Sequence, residues 1–246
     1  MDGVTVGIFV ATAFVGGLVS GLAGFAMGLL LSAVWLHFLT PLQTVTLIIG
    51  FGVWTQAYAI WRLRQSLGWR NVAPFILGGA LGVPLGAMLL AHIPPAHLRS
   101  GIGLLVVLYS VYGFAQPRFR PLNVGTPADV GVGFLNGLLA GLAGLTGIVI
   151  TIWCQWRAWP KDVQRAVFQP VNLAAVLMTA ASLVVAGAVT AEIGKLYALG
   201  LPFVLAGFWT GFRLYGKVSD VGFRKLVLAL LLLAGLSLVL PALVRA

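Results

Sequence analysis

The sequence predicts an all-α, polytopic membrane protein, and three observations carry that prediction. Of the 246 residues, 60% are hydrophobic and 8% charged, with a mean hydropathy of +1.04. An average soluble domain has about a quarter of its residues charged, so this chain cannot assemble a polar surface. From Gly3 to Trp61 no Asp, Glu, Lys or Arg occurs at all. Apolar runs then recur along the whole chain, most near the ~20 residues a helix needs to cross a bilayer.

In order, the runs are Val4–Leu39, Leu42–Trp61, Val72–Ala91, Gly101–Ala115, Val130–Trp156, Val171–Val189, Leu196–Phe212 and Leu226–Leu240. They form about eight helical segments in two homologous four-segment halves, divided by a polar linker. The stretch "GLVSGLAGFAMG" at Gly17–Gly28 lies on "GLLAGLAGLTGI" at Gly137–Ile148, with six of the first eight positions identical. Pro41 precedes the second run and Pro160 the sixth; Gly82 and Gly86 correspond to Gly207 and Gly211, and Arg99 to Arg224. Agreement of order, spacing and identity reads as an internal duplication: a first membrane repeat at 1–116, a linker at 117–129, a second repeat at 130–246.

The first run is too long for one crossing. As a straight helix it would extend about 54 Å, against a hydrocarbon core of ~30 Å. Its glycines sit near the middle, where a break would make two shorter pieces. The loop charges bear on the fifth run. Eight single crossings divide the Lys and Arg residues seven against eight, which is no positive-inside bias. If Val130–Trp156 enters and leaves on one side, Arg62, Arg64, Arg70, Arg118, Arg120, Arg157, Lys161, Arg165, Arg213, Lys217, Arg224 and Lys225 fall together. Only Arg99, Lys195 and Arg245 then lie opposite, a normal bias. The expected arrangement is thus two inverted repeats, each opened by a broken, glycine-rich helix or hairpin, with both termini extracytoplasmic. The N-terminus carries no basic n-region, and its apolar run exceeds signal-peptide length, so it is expected to stay in the membrane.

The chemistry expected of such a chain is transport. Inverted-repeat carriers bind substrate near the midplane at discontinuous helices, whose free N–H groups and positive dipole ends favour anions. Glycine lets the backbone turn sharply and a ligand approach closely. The candidate substrate-binding residues are therefore Gly21, Gly24 and Gly28 in the first repeat and Gly141, Gly144, Thr146 and Gly147 in the second. Gln56, Gln169 and Asn172, the last two flanking the helix-disrupting Pro170, are candidate neutral donors. Asn136 and Gln155 are further polar residues in apolar surroundings. Interhelical hydrogen bonding is the plain alternative for each of these side chains.

Gly17/Gly21 and Gly137/Gly141 have GxxxG spacing, as do Gly82/Gly86 and Gly207/Gly211, and such pairs also serve close helix packing. Packing is the preferred reading of the latter two pairs. For the opening motif, run length and loop charge favour a break. All five acids (Asp2, Asp129, Asp162, Glu192 and Asp220) fall at termini or expected loops, which argues against a buried carboxylate relay or cation site.

Other polar and aromatic residues read as scaffolding. Arg62 and Arg64 are expected to snorkel, and Trp153, Trp156 and Trp159 around Arg157 to form an interfacial belt. His37, His92 and His97 have no ligand spacing, so no metal is expected. The single cysteine, Cys154, cannot form an intrachain disulfide. No cofactor-binding or catalytic motif is present, and no enzymatic activity is expected. The net charge of +10 is scattered between apolar runs, as in loops of membrane proteins, so nucleic acid is not an expected partner.

The two "GLxxGLAG" copies, the central linker, "LGVPLGAMLLAHIPPAHLRSGIGLL" and "WPKDVQRAVFQPVNLA" together resemble the TauE/SafE family of sulfite and organosulfonate exporters. The likeness covers nearly the whole chain. It implies a multi-pass permease of the bacterial inner (cytoplasmic) membrane, with a small anion as substrate and the lipid bilayer as surroundings: sulfite, sulfoacetate or a related organosulfonate. The expected mechanism is alternating access, with the halves rocking about a midplane site. Homo-oligomerisation stays open, as do an anion channel and a non-transporting subunit of a larger assembly. The chain reads "GFAMG" and "GLTGI" where many members are richer in glycine, so only the matching glycines and the adjacent Thr146 carry over.

Overall fold

A computed structural model describes residues 2–24, 26–63, 69–115, 122, 124–214, 228–229, 231–233 and 235–240. Arg64, Arg118, Arg120, Lys217, Asp220, Arg224, Lys225 and Arg245 lie outside the described residues, as do the side chains of Arg62, Arg70, Lys161, Asp162 and Arg165. Among the described residues the chain forms α-helices and no strand. These are α1 (Gly3–Ala23), α2 (Met27–Trp35), α3 (Pro41–Leu63), α4 (Trp69–His92), α5 (Pro95–Ala115), α6 (Thr126–Ala143), α7 (Ile148–Trp156), α8 (Lys161–Val185) and α9 (Ala191–Leu214). Six of them, α1, α3, α4, α5, α8 and α9, are long and apolar enough to cross a membrane, and a shorter apolar helix runs over Leu231–Leu240. The molecule is a multi-pass helical membrane protein.

Helix starts follow local capping chemistry. Thr40 and Gln43 form a reciprocal capping box, each side chain bonding the other's backbone N–H at 3.2 and 3.0 Å, with Pro41 in the first helical position. Proline also opens α5, and α8 and α9 begin several residues ahead of their apolar runs. The acids Asp129 and Glu192 consequently lie in helical first turns, where the macrodipole favours negative charge.

The first and fifth apolar runs are each two helices. α1 ends at Gly24, whose φ of 86° is left-handed and whose N–H reaches the Ser20 carbonyl at 2.7 Å. α2 then doubles back. Trp35 stacks on Phe9 with ring centroids 4.6 Å apart and donates its indole N–H to Thr12 Oγ1 at 2.8 Å. One continuous helix would hold residues 9 and 35 about 39 Å apart. α6 ends likewise at Gly144, with φ 67°, and α7 turns back. Near its end, Trp153 and Arg157 both bond Asp129 at the start of α6.

The chain divides into two compact units. The first contains residues Met1–Ile48, Ile93–Pro117 and Ala191–Ala246, hence α1, α2, the start of α3, α5 and α9. Here α9 packs on α1 backbone to backbone. A Cβ on Gly17 or Gly21 would strike the Val204 or Phe208 carbonyl, and one on Gly207 or Gly211 would strike that of Phe14 or Leu18. α5 meets the C-terminal helix where Gly103 faces Gly235 and Leu238.

The second unit contains Ile49–His92 and Arg118–Thr190, hence most of α3, with α4, α6, α7 and α8. Its central contact is a glycine zipper between α4 and α6. Gly78, Gly82 and Gly86 lie against the carbonyls of Val130, Phe134 and Leu138, and Gly133, Gly137 and Gly141 against those of Phe75, Gly79 and Val83. With no side chain between them, the backbones approach close enough for dispersion and Cα–H···O contacts, which hold membrane helices where hydrophobic burial gives no net drive. Both units combine helices from the two sequence halves: the α1–α2 hairpin packs on α9, and the α6–α7 hairpin on α4.

Candidate functional site

The second unit, with its hairpin, carries buried amide groups; in the first unit Ser32 and Thr44 hold buried hydroxyls without a partner among the described residues. The connection from α6 to α7 is Gly144–Gly147. Gly144 adopts a left-handed φ and donates to Ala140; the following N–H, of Leu145, reaches the Leu139 carbonyl at 3.2 Å. Gly147, with φ 95°, is the N-cap of α7 and brings no side-chain cap. The first intrahelical bond of α7 runs from Thr151 N–H to the Gly147 carbonyl, so the N–H groups just before it have no partner within the helix. An oxygen-rich anion is the complement of such an end.

Asn136 is aimed at this end. Its Oδ1 accepts from Gly147 N–H at 3.1 Å, across eleven residues of chain. That bond orients the amide, so Nδ2 is left beside the α7 N-terminus as a donor. Asn136 is 1% exposed, and its Nδ2 has no partner among the described residues. Thr151 Oγ1, Gln169 Oε1 and both amide atoms of Asn172 are also buried and unpartnered among the described residues. Native interiors satisfy nearly all such groups, so several in one unit call for an explanation.

The surrounding core places these groups along the helices. One apolar cluster joins Val72 and Phe75 of α4, Val132 of α6, Ile150 and Cys154 of α7, and Val167, Phe168 and Val171 of α8. A second joins Val83, Ala140 and Ala175 of α4, α6 and α8. On α6, Asn136 is one turn from Val132 and one turn from Ala140. On α8, Asn172 is about one turn from Phe168 and from Ala175, and Gln169 lies a turn earlier on the same side. By helical spacing Asn136 and Asn172 thus fall in a polar layer between two apolar ones, whereas Gln169 lies at the level of Phe168 in the first cluster, and Gly79 of α4 lies against the Asn136 turn through Gly137. Pro170 lies in the α8 backbone at this level and leaves the Ala166 carbonyl without its helical donor.

At the other end of the hairpin an ion pair closes α7 onto α6. Arg157 Nη2 lies 2.8 and 2.9 Å from the two carboxylate oxygens of Asp129, and Trp153 Nε1 donates to the same carboxylate at 2.8 Å. The Arg157 guanidinium stands 5.6 Å and 5.4 Å from the Trp153 and Trp159 ring centres. These tryptophans were expected only as an interfacial belt; they enclose a charge pair. Ala158 follows in left-handed conformation, with Trp159 N–H on the Cys154 carbonyl and Ala158 N–H on that of Gln155, a Schellman turn.

The structure separates the residues expected from sequence. Gly141, Gly144, Thr146, Gly147, Gln56, Gln169 and Asn172 belong to the second unit; Gly21, Gly24 and Gly28 belong to the first. Gly21 and Gly141 face the backbone of a packed helix, and Gly28 lies within α2 rather than in the turn. Gln56 is buried one turn from Gly52, which packs on Val176 of α8. Asn136 and Thr151 add further buried atoms without a partner among the described residues. Asn136 precedes the glycine motif directly, and its spacing from Val132 and Ala140 is the signal that would have found it. Thr151 has no such mark in the sequence.

The first unit differs at the corresponding place. With the repeats aligned on their glycines, Asn136 falls on Gly16 and Thr151 on Leu31. Leu31 fills that space, its Cδ2 lying 2.8 Å from where a Gly16 Cβ would be. The first hairpin is packed with hydrocarbon where the second carries its amide.

The sequence model of the family described as sulfite exporter TauE/SafE matches residues 9–238. No curated protein and no solved structure matches the chain. With nearly its full length inside the family match, and the broken glycine helices and membrane-length segments in place, the chain belongs to the TauE/SafE sulfite exporter family.

Proposed function

We propose that this protein is a permease for a small sulfur oxyanion, sulfite or an organosulfonate, in the inner membrane of a bacterium. Substrate binds at the α6–α7 tip. The observation that carries the proposal is the uncapped start of α7 beside Asn136, whose Nδ2 is buried without a partner among the described residues, as are Gln169 Oε1 and both amide atoms of Asn172. Gly144 and Gly147 let the chain reverse there. The α7 N–H groups, Asn136 Nδ2, Thr151, Asn172 and Gln169 supply neutral hydrogen bonds, with Thr146 and Gln56 at the margin. The ligand undergoes no chemistry; it is held and released.

Alternating access follows from the same reading. The sequence halves form inverted repeats, and the site opens to one membrane face and then the other. Neutral donors suit this cycle, because a fixed buried cation would hold an anion too tightly to release it and would be costly when the site is empty.

Reconstituted into liposomes, the protein is expected to carry labelled sulfite or a small sulfonate with saturable kinetics. Asn172→Ala is expected to lower that flux at least about tenfold, the usual effect of removing a needed hydrogen-bonding group. Absence of saturable flux for sulfite, sulfonates, thiosulfate and small carboxylates alike would overturn the proposal.

A further inference from the structure

We infer that the ligand of this site brings a hydrogen-bond donor of its own: it is a singly charged sulfur acid or sulfonate bearing an O–H or N–H group, not a fully deprotonated dianion. The inference rests on the transport site proposed above and concerns which ligand it accepts.

The buried amides of this unit offer acceptors as well as donors. Gln169 Oε1 and Asn172 Oδ1 are buried without a partner among the described residues, on residues exposed by 1% and 0%. Both ends of the Asn172 amide are unpartnered, so turning it over leaves a carbonyl presented in either orientation, and Gln169 presents its carbonyl as placed. The Asn136 oxygen differs, being occupied by Gly147 N–H. A dianion such as sulfite has only lone pairs to offer. Set against these two carbonyls, it would meet repulsion and leave both acceptors unpaired. A hydrogen sulfite ion, or a sulfonate with a hydroxyl or ammonium substituent, pairs its oxygens with the α7 N–H groups and Asn136 while its own proton goes to an amide oxygen.

Charge balance points the same way. Among the described side chains of this unit the one Lys or Arg is Arg157, and it is bound to Asp129. What the described residues present at the tip is a helix terminus, worth roughly half a charge, and amide dipoles. That matches one negative charge better than two, since each uncompensated buried charge is strongly disfavoured.

The test compares two sulfonates of equal charge and nearly equal shape. In 2-hydroxyethanesulfonate a hydroxyl stands where propane-1-sulfonate has a methyl group. Titrated calorimetrically into the full-length protein in nanodiscs, the hydroxylated compound is expected to bind about tenfold more tightly or better. In Gln169→Leu the ratio is expected to shrink, because 2-hydroxyethanesulfonate loses more affinity than propane-1-sulfonate does. Sulfite itself is expected to bind more weakly as rising pH strips its remaining proton. Equal or tighter binding of propane-1-sulfonate, or sulfite affinity that rises with pH, would overturn the donor requirement while leaving the anion site standing. Failure of both sulfonates, and of sulfite at every pH, would instead remove the site. The wild-type comparison decides the matter even where Gln169→Leu does not fold.

Discussion

Asn136 shows how one side chain serves both architecture and binding. Its oxygen satisfies the N–H of Gly147 in a turn that glycine alone could enter easily, and its nitrogen is left buried without a partner among the described residues. Truncation to alanine orphans a buried N–H, so Asn136→Ala is expected to destabilise the protein by about 1–3 kcal/mol. In the same variant the anion should bind more weakly. Thermal unfolding in detergent and ligand titration measure the two effects separately. A variant unchanged in both would show that the turn needs no side-chain partner. The glycines beside Asn136 divide their work by position. Gly137 and Gly141 are needed because a neighbouring backbone lies where a Cβ would go, whereas Gly144 and Gly147 are needed for their left-handed φ.

At the scale of helices, two contacts bear most of the arrangement. The α4–α6 zipper has no room for side chains, so Gly82→Val is expected to force the helices apart and abolish folded protein, as judged by monodisperse elution from a sizing column. Gly131, on the same helix, would meet nothing within 4 Å of a new Cβ. Gly131→Ala is therefore expected to be tolerated, with a gain of up to about 1 kcal/mol from helix propensity. The second contact is the Asp129–Arg157 pair, whose side chains are each 14% exposed. Removing one partner strands the other charge between tryptophans. Asp129→Ala is expected to lower stability by about 3 kcal/mol, the low end for buried pairs because some solvent reaches this one. A drop in unfolding temperature of the size seen for an exposed ion pair would refute that. The first hairpin makes its corresponding closure without charge, through Phe9, Thr12 and Trp35.

For the whole molecule, the hairpins decide how the chain meets the bilayer. Leu122 N–H bonds the Trp156 carbonyl at 3.0 Å, so the chain before α6 and the chain after α7 meet at one level. Cysteines placed at Val124 and Ala158, both exposed, are expected to react with a membrane-impermeant maleimide from the same face. From the loop-charge bias that face is expected to be the cytoplasmic one. Labelling from opposite faces would mean that the fifth run crosses the membrane once.

The helical membrane class, the breaks at Gly24 and Gly144 and the packing role of Gly82 and Gly207 were legible in the sequence. Hydropathy, run length and glycine spacing are local properties, and a lipid-embedded backbone must satisfy its hydrogen bonds within each segment. The pairing of helices was not legible. That the α6–α7 hairpin packs on α4, that Asp129 meets Arg157, and that Asn136 reaches Gly147 while Leu31 fills the corresponding space in the first hairpin depend on contacts between distant residues. Such contacts are set by which surfaces fit once all helices are present. The sequence by itself determined where the chain breaks; only the tertiary structure decided which break carries the polar layer, because burial without a partner is a property of neighbours and not of any residue alone.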